Sequence, residues 1–289
     1  MPKLALGTAN FGLPYGISNQ LGQILPDSVA DILQVAKYAG IGCLDTAVAY
    51  GRSQKVLGEI GVSGWRLVSK ISSIELGCGD VPGYVSRQVE IILRDLRVES
   101  IDTVLVHNAQ DLIGENGDQI FSELQKFKQH KLISKIGVSI YGPSDLETIS
   151  SRYPIEVVQA PLNVLDNRIE RSGWLKQLSE NKIEVHIRSL FLQGLLISRE
   201  LQRTPLFQPW YKTLQQWNDL SDASGKSDLV NCVAHVKSFD QVSQIVVGVD
   251  SATQLREVLD AFSSPARRVD GLDCGADETL INPSKWVRS

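Results

Sequence analysis

The chain has 289 residues, 43% of them hydrophobic, and a formal net charge of −4 from 29 Lys and Arg against 33 Asp and Glu. The two signs alternate without a long run of either, which argues against a binder of nucleic acid or anionic membrane. No apolar stretch approaches the roughly 18 residues of a spanning helix. The N-terminal MPKLALGTANFG has no signal-peptide core, and Cys43, Cys78, Cys232 and Cys274 form no C-x-x-C pair, so a cytoplasmic protein with reduced thiols is expected.

Taken in chain order, short apolar runs bounded by Gly, Pro, Asn, Asp or Ser alternate with longer segments of helical period. The runs are Leu4–Thr8, Cys43–Asp45, Leu67–Lys70, Thr103–His107, Ile133–Val138, Val157–Gln159, Val185–Ser189 and Ile245–Gly248, and they read as buried strands. Between them, Val29/Ile32/Leu33/Ala36, Val85/Val89/Ile92/Leu93/Leu96 and Leu255/Val258/Leu259/Phe262 follow the i, i+3, i+4, i+7 spacing of amphipathic helices. Pro26-Asp27 and Pro143-Ser144 mark helix starts. Strand and helix in strict alternation predict a parallel sheet with right-handed crossovers. Eight such units with no linker predict an α/β protein, a single (β/α)₈ TIM barrel over residues 1–289, with a doubly wound open sheet as the competing topology. The glycines of Gly77-Cys78-Gly79-Asp80-Val81-Pro82-Gly83 miss the G-x-G-x-x-G spacing by one place. Ser224-Gly225-Lys226-Ser227 lacks the first glycine of a P-loop and reads as a turn between helices.

In a barrel the reactive groups stand at the C-terminal ends of the strands. Asp45 closes the second run, Tyr50 lies in the loop after it, Lys70 closes the third and His107 the fourth. Singly, each has an ordinary explanation: a helix cap, a turn residue beside Gly51, a snorkelling charge, a loop end. Four ionisable groups delivered to one rim by consecutive strands suit carbonyl reduction, in which hydride adds to carbon and oxygen receives a proton. Tyr50 is the natural acid, with Lys70 expected to lower its pKa, Asp45 to hold the ammonium, and neutral His107 to bond the carbonyl oxygen. No metal site is expected, because His107, His130, His186 and His235 lack ligand spacing.

These residues resemble the aldo-keto reductase superfamily in order and surroundings, with supporting stretches LGTANFG (6–12), DTAVAYGRSQKVLGE (45–59), IGVS (136–139), QAPLN (159–163) and IRSLFLQGLL (187–196). The resemblance implies a (β/α)₈ barrel, NADPH or NADH bound extended, and a small-molecule carbonyl substrate. It implies that Ser139 and Gln159 bond the nicotinamide amide and that Thr8 lies beneath its end. Ser189, Leu190, Gln193 and Gly194 would line the pyrophosphate, Gly248, Asp250, Ser251 and Gln254 the far end, and Phe11 and Asn108 the substrate. Three places depart from the family pattern. Arg188 stands where many members stack an aromatic ring on the nicotinamide. Asn108 stands where several have tryptophan, which suggests a more polar, sugar-like substrate. Asp250 and Gln254 stand where NADPH-preferring members carry basic residues, leaving Ser251 and Arg256 as phosphate partners, so NADH is expected at least to equal NADPH. Two other readings stay open: a nicotinamide-binding regulatory barrel with little turnover, and a lyase or isomerase using Lys70 as a Schiff base. The tail from Asp270 could cover the mouth or the bottom of the barrel.

Overall fold

A computed structural model describes residues 2–17, 19, 22–75, 77–272 and 277–286. Eight parallel strands close on one another in sequence order: β1 (Lys3–Gly7), β2 (Cys43–Asp45), β3 (Arg66–Ile71), β4 (Ile101–Val106), β5 (Ile133–Ser139), β6 (Val157–Pro161), β7 (Glu184–Arg188) and β8 (Gln244–Gly248). Closure is by β1 against β8, Lys3 opposite Gln244 through Gly7 opposite Gly248. The open sheet is thereby excluded. Thr8, His107 and Ser189, read as strand ends, each fall one residue past their strand, at the start of the loops that follow.

The principal outer helices are α1 (Pro26–Tyr38), α2 (Ser53–Ile60), α3 (Val81–Leu96), α4 (Gly117–Gln129), α5 (Ser144–Arg152), α6 (Trp174–Glu180), α7 (Asp228–Lys237) and α8 (Ala252–Ser263). Their apolar stripes, among them Val29, Ile32, Leu33 and Ala36 of α1, are buried against the strands in one continuous core, which is what amphipathic spacing demands. Three of these helices, α3, α7 and α8, are capped locally by side chains: Asp80 accepts from Gly83 N–H, Ser227 from Val230 N–H and Ser251 from Gln254 N–H. The glycine-rich Gly77–Gly83 run is thus a turn into α3. Ser224–Ser227 is the turn joining the helix Tyr211–Ala223 to α7, with Gly225 at φ 66°.

Inside the barrel the side chains form levels. At the bottom, Arg66 of β3 and Lys135 of β5 both pair with Glu184 of β7, with His186 Nε2 3.3 Å from the same carboxylate. These partners hold the Glu184 carboxyl down at about 2. Above them Ala5, Cys43, Val68, Leu105, Val157 and Val246 make a small apolar cluster of their own. Two residues further along β2, β3 and β6 come Asp45, Lys70 and Gln159, and β7 ends on Arg188, two past His186.

Cys43, Cys78 and Cys232 are free thiols, and Cys274 lies outside the described residues. Among the described residues no helix is long and apolar enough to cross a membrane. The described part of the tail sits beside the loops that follow β6 and β7. Trp286 packs edge-on against Phe207 at 4.9 Å, Trp210 Nε1 donates to Asp277, and Arg168 pairs with Glu278.

His235 of α7, 0% exposed, ties the chain after α8 to the barrel wall. Its Nδ1 accepts from Val269 N–H at 3.1 Å, so the proton sits on Nε2, 2.8 Å from the Asn167 Oδ1 that accepts it. Burial pushes its pKa down to about 4. The unfolded chain takes up this proton near pH 6.5 and the folded chain does not. Stability is therefore full above 6.5 and falls as pH drops toward 4, by on the order of 3 kcal/mol for this site. Urea unfolding as a function of pH is expected to show that fall, and His235→Gln a shallower one; equal slopes in the two proteins would refute the assignment.

Candidate active site

Asp45 ends β2 and is the hub of the upper level. Its Oδ1 accepts from Lys70 Nζ at 2.6 Å and its Oδ2 from Gln159 Nε2 at 2.7 Å. Lys70 Nζ also donates to Thr46 O at 2.9 Å. The two charged side chains are 4% and 1% exposed, so this is a buried ion pair, with a further hydrogen bond on each partner, to an amide and a carbonyl respectively. Burial lowers the Lys70 pKa, and the Asp45 charge and hydrogen bond oppose that.

Tyr50 follows in the β2 loop. The Lys70 ammonium lies 5.1 Å from its ring centroid, and the His107 ring meets it edge-on at 5.9 Å. Two glycines put it there. A Cβ on Gly12 would lie 1.9 Å from Tyr50 O, and Gly51, at φ +57°, brings its own Cα to the Gly12 carbonyl, so the loops after β1 and β2 nest through two residues without side chains. Among the described residues the Tyr50 hydroxyl has no hydrogen-bond partner, and the residue lines the main cavity. Its pKa is raised well above the usual phenol range, first by burial and then by Asp45. The expectation that Lys70 lowers it is therefore corrected: the ammonium is already neutralised by Asp45, and desolvation of the phenolate dominates. His107 is held down at about 4 by burial and by the Lys70 and Arg188 charges, which keeps it neutral as expected.

The cavity, about 300 Å³, runs from Tyr50 and Gln159 past Ser189, Leu190, Gln193 and Gly194 to Gly248, Asp250, Gln254 and Glu257. The turn after β7 concentrates backbone strain. Ser189, Leu192 and Gln193 all take positive φ, whereas the other described non-glycine cases, Arg97, Lys131 and Lys182, close helices singly. Such strain gathers where a ligand is received. The opposite wall comes from the β1 loop and is tied across: Asn10 donates to Asp250, Ile17 N–H to Gln193 Oε1 at 3.2 Å, and Gln193 Nε2 to the Tyr15 hydroxyl at 3.4 Å.

The remaining expected residues divide. Thr8 lines the cavity, yet its hydroxyl donates to Asp45 O at 3.0 Å and accepts from Ser53 Oγ at 2.9 Å. Ser139 is buried at the end of β5. Phe11, placed at the substrate end by the sequence, is fully buried in the core because the short 3₁₀ turn Ala9–Phe11 rotates it inward. Asn108 accepts from Gln110 N–H and caps the short helix Ala109–Ile113, so its amide is turned toward that helix. Ser251 is the cap of α8, and of the two only Asp250 lines the cavity. Asn10, Tyr15 and Glu257 went unnoticed in the sequence; nothing in their local spacing marks them.

A profile of the aldo/keto reductase family matches residues 3–270. The chain belongs to the aldo/keto reductase family. Members of this family are nicotinamide-dependent oxidoreductases. A curated relative, the L-glyceraldehyde 3-phosphate reductase of Escherichia coli (strain K12), is 21% identical over 214 residues, which are 65% of this chain and 61% of that protein. The barrel superposes on aldo-keto reductase AKR11C1 from Bacillus halodurans in its holo form with a TM-score of 0.75, at 20% identity over 93% of this chain and 88% of that one. The glycerol dehydrogenase AKR11B4 from Gluconobacter oxydans gives 0.69 at 24% identity, over 91% and 87%.

Proposed function

We propose that this aldo/keto reductase reduces a small carbonyl compound, with Tyr50 as the proton donor and Asp45, Lys70 and His107 around it. The observation that carries the reading is a phenol on a cavity wall with no hydrogen-bond partner among the described residues, backed by a buried ion pair. A bound nicotinamide supplies the hydride. The residues fit such a cofactor: the strained Ser189–Gly194 turn, Gln159 of β6, and the Gly248–Gln254 loop line one elongated cleft, whereas Ser139 of β5, expected at the nicotinamide amide, is not part of its wall.

The carbonyl oxygen accepts from the Tyr50 hydroxyl, and neutral His107 bonds the same oxygen and fixes its direction. A phenol with a raised pKa stays protonated at neutral pH. It yields its proton only as the oxygen gains alkoxide character, because an alkoxide is a much stronger base than a phenolate. The phenolate left behind has Lys70 5.1 Å from its ring, and the Arg188 charge also favours it. Asp45, fixed by Gln159 and Lys70, holds the ammonium in place throughout.

The cofactor reading is NADH at least as well as NADPH. Asp250 and Glu257 both line the far end of the cleft, where two carboxylates repel a 2′-phosphate and can accept from a free ribose hydroxyl. Titration with each cofactor, followed by protein fluorescence, is expected to give micromolar binding, NADH no weaker than NADPH, with Asp250→Arg shifting the ratio toward NADPH by roughly tenfold, or about 1.4 kcal/mol. NADPH binding tenfold tighter in the native chain would sink the NADH reading. No binding of either would sink the oxidoreductase reading.

A further inference from the structure

Arg188 ends β7 on the cavity wall, half-buried, in the same inward row as Glu184 and His186. Its guanidinium lies 4.6 Å from the Tyr141 ring centroid, donates to Ile140 O at 2.8 Å and donates to Ser189 Oγ at 3.2 Å. A guanidinium carries five N–H donors, so more than half of them have no partner among the described residues. No carboxylate among the described residues stands within ion-pair distance of it.

The other charges of the site are accounted for differently. Lys70 is neutralised by Asp45 at 2.6 Å, and His107 is uncharged at neutral pH. The two remaining carboxylates on the wall, Asp250 and Glu257, belong to the β8 loop and α8, where Asp250 accepts from Asn10. The cleft is therefore polarised, with an uncompensated cation beside the reacting groups and negative charge at the far end. Arg188 is close enough to Tyr50, Lys70 and His107 for its field to act on all three. A planar fork with free donors, stacked on an aromatic ring and lacking a counterion, is the arrangement that receives an oxyanion bidentately.

We propose that Arg188 binds an oxyanion of the substrate, so that the carbonyl compound reduced here carries a carboxylate or phosphate. This rests on the carbonyl-reduction reading above. It places the substrate's charge toward β7, and it gives the position where relatives stack a ring a second use, that of selecting by charge.

The test compares pairs that differ mainly in charge: succinic semialdehyde with 4-oxobutanamide for the carboxylate, and glycolaldehyde phosphate with glycolaldehyde for the phosphate. kcat and KM are measured with NADH for the native chain, Arg188→Met and Arg188→Lys. Expected is a preference for the anion of about ten- to a hundredfold in kcat/KM, carried mainly by KM. Arg188→Met brings the ratio to about one and Arg188→Lys keeps part of it. The ratio within a pair cancels any change in cofactor affinity, which the NADH dissociation constant of each variant reports separately. The pair showing the larger ratio tells carboxylate from phosphate. A ratio near one in the native chain, or one unchanged in Arg188→Met, overturns the anion site and leaves carbonyl reduction standing. Binding of succinate over succinamide, read by thermal unfolding and lost in Arg188→Met, supports the site independently of turnover. That result with no aldehyde reduced would overturn the reductase reading alone.

Discussion

Tyr50→Phe is expected to lower kcat/KM for carbonyl reduction on the order of a hundred- to ten-thousandfold, the range typical of a positioned general acid. The substitution removes one oxygen that has no hydrogen-bond partner among the described residues, so no described buried group is orphaned and the fold should be unaffected. NADH affinity is expected to remain within a few-fold. The two outcomes together separate enzyme from regulator. A binding module loses nothing it needs when the hydroxyl goes, whereas a reductase loses the proton and keeps the cofactor. Reduction within tenfold of the native rate would remove Tyr50 from the role proposed for it.

Lys70→Met has the other large effect, and it falls on stability as well as rate. The methionine fills a similar volume, but it leaves the Asp45 carboxylate buried with only Gln159 on its Oδ2 and nothing on the Oδ1 that Lys70 occupied. Removing one partner of a buried pair costs about 3–5 kcal/mol, most of it from the uncompensated charge left behind. Denaturant unfolding should show that loss. Adding Asp45→Asn to Lys70→Met should return a substantial part of it, since a neutral amide in the same place keeps a hydrogen bond to Gln159 without the desolvation penalty. A double variant less stable than Lys70→Met alone would contradict the charge argument. Neither protein is expected to recover catalysis, because the cation beside the phenol is gone in both.

The barrel was legible because its strands are runs of Val, Ile and Leu, buried on both faces and bounded by turn residues, repeated at helical intervals. Asp45, Tyr50, Lys70 and His107 could be brought to one rim for a related reason: residues at the end of a barrel strand or in the loop that follows it have only one rim to face. What could not be read was side-chain commitment. Asn108 spends its oxygen on capping the helix Ala109–Ile113, Thr8 binds the Asp45 carbonyl, and Phe11 turns into the core. The Thr8 choice depends on neighbours far away in sequence, Ser53 and Asp45, whereas Asn108 bonds Gln110 only two residues on, a cap that competes with the site role at the same position. The direction of the Tyr50 shift was misjudged in the same way. Sequence puts a lysine and its aspartate near the phenol, but it does not show how strongly burial penalises the phenolate.

The apolar cluster of Ala5, Cys43, Val68, Leu105, Val157 and Val246 lies between the ion pairs of Arg66 and Lys135 with Glu184 below and the pair of Asp45 with Lys70 above. Tyr50 lines the cleft, so the proton it gives away can be replaced from the mouth, on the side from which substrate arrives. Refilling the acid and releasing the product then share one doorway, and an occupant that seals the mouth also slows recharging by that route.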